Sequence, residues 1–146
     1  MRRTPRCCCM SRAAAMVDEW IVLFGKARGP ATIWTRLLSR PWQHCFALGH
    51  EARGGGWVEV NPAFNMVRMN VLRREDVERW LSAAAHLRWT MLRIAQRDAG
   101  PHRPRLGLLT CAGLLAHIIG LRETVWTPRG LHRHLIRAGA VPVDGG

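Results

Sequence analysis

The chain has 146 residues, 48% of them hydrophobic, and a formal net charge of +12 at pH 7. That length suits one domain with a real core, and that apolar share excludes general disorder. No run of about 18 apolar residues is present, so no segment reads as a membrane-spanning helix.

The first ten residues, from Met1 to Met10, are basic but lack an apolar stretch of signal-peptide length. Met16 stands just before Val17-Asp18-Glu19-Trp20 as an alternative start. The expected organisation is therefore a disordered or mis-assigned start over residues 1–15, one domain over 16–140 and a tail over 141–146. Residues 1–15 carry four arginines and no acid, which leaves 12 − 4 = +8 on the remainder. Such a balance favours an anionic partner, or simply solubility in an arginine-rich chain whose only lysine is Lys26. The five cysteines are Cys7, Cys8, Cys9, Cys45 and Cys111. An odd count without framework spacing argues against a disulfide scaffold and for a reducing compartment. No CxxC pair is present, so neither a metal nor another cofactor is expected.

In chain order, Trp20–Phe24 is a short apolar run that reads as a buried strand. Ala31–Leu38 has the look of a short helix. Pro41 leads into an apolar segment that begins at His44. Arg53-Gly54-Gly55-Gly56 is a strong turn signal and makes residues 44–49 and 57–62 a β-hairpin. Asn65–Leu72 alternates and reads as a third paired strand. Arg73–Ala85 reads as a helix, with Glu75 and Asp76 at its positive start and Val77, Trp80, Leu81 and Ala84 on one face. Leu87–Ile94 reads as another strand. After a proline-bearing loop comes a helix opening at Cys111, with Thr110 as N-cap and Gly120 as its stop. Thr127-Pro128 starts a last helix that runs to about Arg137 and packs through Leu131 and Leu135. The pattern predicts an α+β fold, with an antiparallel sheet of about five strands and a few helices packed on it.

Cys111 carries the most chemistry. In Leu108–Gly120 the residues Cys111, Leu114, Leu115, Ile118 and Ile119 recur at helical spacing. A cysteine in a helix's first turn sees the positive end of the dipole, which stabilises the thiolate, and the thiolate is the nucleophile. A nucleophilic cysteine also needs a base. His44, at the head of an upstream strand, is the candidate, with His50, His86, His102, His117, His132 and His134 as rivals.

The order, histidine on a strand before cysteine on a helix, resembles the circularly permuted NlpC-type branch of the papain-like cysteine hydrolases. That branch includes lecithin:retinol acyltransferase-like proteins. Four stretches carry the resemblance: His44-Cys45-Phe46-Ala47-Leu48, Trp57-Val58-Glu59-Val60-Asn61-Pro62, the Thr110-Cys111 helix start, and Trp126-Thr127-Pro128-Arg129-Gly130-Leu131. Together they span roughly residues 18 to 137. The resemblance implies a permuted papain-like fold and a small phage- or bacteria-type member. It also places His44 as the base and a polar residue at the end of the paired strand to orient the imidazole. Asn61 fills that position, with Glu59 as the alternative. Strand register bears on the choice: pairing of 44 with 61 puts Asn61 and Glu59 on the His44 face, while pairing of 44 with 62 turns Asn61 away. The oxyanion hole would use the Cys111 backbone N–H and a second donor, for which Gln43 is the candidate. Cys45, one residue from His44, should point to the opposite sheet face as core. Trp42, Trp57 and Trp126 could rim a groove.

The expected activity is that of a thiol hydrolase or acyltransferase acting on an amide or ester through Cys111, His44 and Asn61. The implied substrates are a peptide, a cell-wall peptide or a lipid ester. The alternative is a non-catalytic basic module on the same fold, a virion component or a protein that contacts nucleic acid. The expected location is the bacterial cytoplasm or a virion.

Overall fold

A computed structural model describes residues 17–26, 41–51, 53–63, 66–97 and 110–143. The expected helix at 31–38 lies outside these residues. Six strands and three helices follow in chain order. They are β1 (Glu19–Gly25), β2 (His44–His50), β3 (Trp57–Pro62), β4 (Val67–Leu72), α1 (Arg74–His86), β5 (Thr90–Ala95), α2 (Cys111–Ile119), α3 (Pro128–Arg137) and β6 (Val141–Pro142). All neighbouring strands pair antiparallel, in the order β4-β3-β2-β1-β5-β6. The fold is α+β, with six strands where about five were expected. The extra strand comes from the expected tail, where Val141 and Pro142 pair with Arg93 and Leu92.

The sheet is covered on both faces, and its central strands show why. β1 is apolar at every position from Trp20 to Phe24, as a strand must be when both its faces are buried. Trp20, Val22 and Phe24 join Cys45, Ala47, Val60, Leu92 and Ile94 beneath α2 and α3. Ile21 and Leu23 join Phe46, Leu48 and Met91 beneath α1. The edge strand β4 lies outside this cover, and Val67, Met69 and Val71 along it are exposed.

Turns set the boundaries where they differ from expectation. The β2–β3 hairpin closes through Glu51 N–H to Gly56 O at 2.9 Å and Gly55 N–H to Glu51 O at 2.8 Å, with Gly55 at φ +65°. β4 starts at Val67 rather than 65, and just before it Met66 O accepts from Ala63 N–H at 2.7 Å. β5 starts at Thr90 rather than 87. Leu87, Arg88 and Trp89 donate back to Ala83, Ala85 and Ala84, and Arg88 takes a left-handed φ of 53°. In α1 the buried residues are Val77 and Ala84, with Leu81 half-buried. Trp80 is exposed but reaches Phe46 edge-on.

α2 begins and ends as its sequence requires. Thr110 Oγ1 accepts from Gly113 N at 2.9 Å. Gly120 closes the helix at φ +87°, and Leu121 N–H reaches back to Ala116 O at 2.8 Å. A Cβ at Gly120 would stand 2.2 Å from the Arg97 carbonyl oxygen, so both the backbone angle and the space call for glycine. The buried stripe of α2 is Ala112, Leu115, Ala116 and Ile119. Cys111 lies at its margin, half-buried and packed on the core that contains Cys45.

Candidate active site

The site forms where two paired strands part. The β2–β3 ladder runs from His50↔Trp57 to Ala47↔Val60 and stops. β2 continues for three more residues, His44 to Phe46, still paired to β1. β3 continues through Asn61 and Pro62, paired only to β4. Extending the register would set Cys45 against Pro62, and proline has no N–H to give to a ladder. This opening lies at the margin of the sheet, next to the N-terminus of α2.

The register also answers the question of facing. Leu48 pairs with Glu59, so neither 61 nor 62 lies opposite position 44; by extension it is 63. The parity still favours the site. His44, Phe46 and Leu48 share a face with Asn61 and Glu59, and His44 and Asn61 meet diagonally across the opening.

Asn61 holds His44, and Glu59 holds Asn61. His44 Nε2 and Asn61 Oδ1 are 2.9 Å apart. Asn61 Nδ2 donates to Glu59 Oε1 at 3.1 Å, and Asn70 Nδ2 donates to Glu59 Oε2 at 2.8 Å. A carboxylate only accepts, so the amide nitrogen of Asn61 must face Glu59 and its oxygen must face the imidazole. Asn61 Oδ1 also only accepts, so Nε2 carries a proton and donates it. Nδ1 is then the ring nitrogen left for the thiol. Asn61 and Glu59 are thus successive members of one chain rather than alternatives. Glu59 is 4% exposed, and the two amides satisfy its oxygens.

Cys111 completes the chain. It packs on the core that holds Cys45, and the Cys45 side chain, the His44 ring and the Cys45 backbone are the hydrogen-bonding groups that act on its thiol. The Cys45 bond is the largest influence and lowers the thiol's pKa. Burial opposes it, and the His44 bond, the Cys45 N–H and the His44 charge add to the lowering; the outcome is about 4, against an ordinary 9.0. Burial pushes His44 down from 6.5, but its bonds to Cys111 and Asn61 and the thiolate charge outweigh it, and the net shift is upward. Burial drives the Cys45 thiol well up, reinforced by the neighbouring thiolate. These shifts all favour a Cys111 thiolate beside a charged His44, with Cys45 as the thiol that donates to it.

Sequence reasoning missed the role of Cys45. It is fully buried core on the α2 face, as alternation requires, but that face is the one from which Cys111 approaches. Two residues adjacent on β2 thus serve one sulfur. The sequence signal was the alternation itself, since a helix packed on the face opposite His44 must meet Cys45.

The oxyanion groups are partly in place. Cys111 and Ala112 head α2, and first-turn N–H groups have no partner inside a helix. The backbone N–H of Gln43 is spent on Gly25 O at 3.0 Å, which leaves its side-chain amide for the role. Three tryptophans were expected to rim a groove near the site; Trp42 lines a cavity, but none of His44, Asn61 and Cys111 lines it. Trp42 stacks on His132 with ring centres 4.6 Å apart and lines the cavity, of about 740 Å³, with Arg129, Arg133 and Arg137. Trp57 stacks on His50, and Trp126 is exposed. The rival histidines do not displace His44. His132 belongs to the Trp42 stack, His50 to Trp57, and His102 lies outside the described residues. Among the described residues, no helix is long and apolar enough to cross a membrane.

Comparison with family models, with curated proteins and with solved structures gives no match. The chemistry of the site therefore rests on its own geometry.

Proposed function

We propose that this chain is a thiol hydrolase or acyltransferase of the permuted papain-like, NlpC type, acting on an amide or ester carbonyl. The observation that carries the reading is the chain Glu59–Asn61–His44 leading to Cys111, a half-buried thiol at a helix N-terminus whose pKa is lowered to about 4. Cys111 attacks the carbonyl carbon, and the oxygen gains negative charge near the first N–H groups of α2. His44 then delivers its proton to the leaving nitrogen or oxygen, and a thioester remains. Neutral His44 next takes a proton from water or another acceptor, which attacks the thioester and frees Cys111. Asn61 keeps the imidazole in one orientation and one tautomer through both halves.

The small phage- or bacteria-type relationship and the substrates it suggests, a peptide, a cell-wall peptide or a lipid ester, belong to this proposal. The test is acylation by an activated ester such as p-nitrophenyl acetate. A burst of released p-nitrophenol matching the protein concentration, with acetyl mass on the Cys111 peptide, supports the reading. No burst, or one that survives Cys111→Ser, overturns it.

A second reading, a non-catalytic module for an anionic partner, is favoured by the cavity lined by Arg129, Arg133 and Arg137. A strongly salt-dependent affinity for DNA that Cys111→Ala leaves unchanged supports it.

A further inference from the structure

Hydrolysis uses one cysteine, yet this site holds two in contact. Cys45 is fully buried in the core on which Cys111 packs, and Cys111 itself is partly exposed; the Cys45 thiol also acts on the Cys111 thiol as a hydrogen-bonding group. Neither cysteine is bridged. The pair joins a central strand to the helix packed over it, and only one of its two residues has any solvent exposure. That asymmetry is what a thiol oxidation site requires: one sulfur accessible to the oxidant, and a second, shielded sulfur already touching the first.

We propose that Cys111 and Cys45 form a peroxide-oxidised pair, in which Cys111 is oxidised first and Cys45 resolves it as a disulfide. In the first step the Cys111 thiolate attacks one oxygen of hydrogen peroxide and the O–O bond breaks. The departing hydroxide takes the His44 proton and leaves as water, and Cys111 becomes a sulfenic acid. In the second step the Cys45 thiol gives up its proton through the now neutral His44, and its sulfur attacks the Cys111 sulfur. The S–O bond breaks, hydroxide leaves and is protonated to water, and an S–S bond forms. In sum, two thiols are oxidised, one peroxide is reduced and two waters are released. The disulfide ties β2 to the head of α2 and removes the nucleophile, so it shuts off any acyl chemistry until a dithiol restores it. The inference needs the thiolate but no acyl substrate, so it stands or falls apart from the hydrolase reading.

The test uses the full-length chain with Cys7, Cys8 and Cys9 changed to Ser, treated with a small excess of hydrogen peroxide and then alkylated in denaturant. The expected result is joint loss of both remaining thiols, a mass lower by two hydrogens, a cross-linked Cys45–Cys111 peptide, and full recovery with dithiothreitol. In Cys45→Ser the same treatment should carry Cys111 on to the sulfinic acid, which dithiothreitol does not reverse. The parent chain decides the matter by itself should that variant not fold. Sulfinic acid on Cys111 beside an alkylatable Cys45 overturns the proposal. So does a disulfide between two chains, or two unreacted thiols.

Discussion

His44 Nε2 donates its proton to Asn61 Oδ1 at 2.9 Å, across the opening where β2 and β3 cease to pair. The bond fixes the tautomer of the only imidazole that reaches Cys111 among the described residues. It also raises the His44 pKa and so favours the charged ring that keeps the thiolate company.

Asn61→Ala removes that support. The imidazolium becomes less stable, the ring is freer to turn, and turnover with an activated ester should fall. A shift of one pKa unit alone is worth about tenfold in the paired form at neutral pH. Asn61→Gln should keep the amide but misplace it and recover little. Equal kcat and no change in the midpoint of the His44 titration by NMR would exclude a positioning role.

Cys111 should be alkylated by iodoacetamide with a midpoint near pH 4, because the thiolate is the reactive species and exists above the thiol's pKa. The rate should stay on a plateau through neutral pH. His44→Ala should raise the midpoint but leave it below the ordinary 9.0, since the Cys45 bond, the largest cause of the lowering, survives. Cys45→Ala should raise it as well. An ordinary thiol titration in the unmodified chain rules out the ion pair.

The same groups link stability to pH with opposite signs. Cys111 titrates lower when folded than unfolded. Its contribution is complete above 9.0 and is lost as pH falls through about 4. His44 titrates higher when folded, so its contribution is complete below 6.5 and is lost as pH rises past its raised value. Below pH 6.5 only the Cys111 contribution still changes, so thermal melts should show Tm falling between about pH 6.5 and 4, a fall that Cys111→Ser diminishes. An acid limb unchanged in Cys111→Ser counts against the thiolate.

Glu59→Ala leaves the Asn61 amide nitrogen without its acceptor in a half-buried place. The cost is about 1–3 kcal/mol, the usual penalty of an unsatisfied buried polar group. Asn70, on the exposed edge strand, can turn to water and should add little. The variant should melt lower and should also lose activity through Asn61. Denaturant unfolding and the ester burst measure the two effects separately.

Thr110→Ala takes away the acceptor of the Gly113 N–H and should destabilise the chain by about 1 kcal/mol. Because Cys111 follows directly, fraying at that end should also slow its alkylation. Thr110→Ser, which keeps the oxygen, should restore both in urea unfolding and in labelling.

Local order was readable from the sequence. Continuous apolarity marked β1 as a strand buried on both faces. The glycine-rich turn marked the β2–β3 hairpin. Thr110, Gly120 and Thr127-Pro128 marked helix ends, because capping and left-handed stops depend on residues within one turn. Cys111 at a helix start and His44 at a strand start followed from the same near-neighbour physics. What the sequence did not determine was how far β2 and β3 stay paired. Alternation fixes which residues share a face, but not where a ladder ends, and the site exists because this one ends at Ala47↔Val60. Nor could it show which face α2 would cover. That choice depends on packing across the sheet, and it brought the buried thiol of Cys45 onto Cys111.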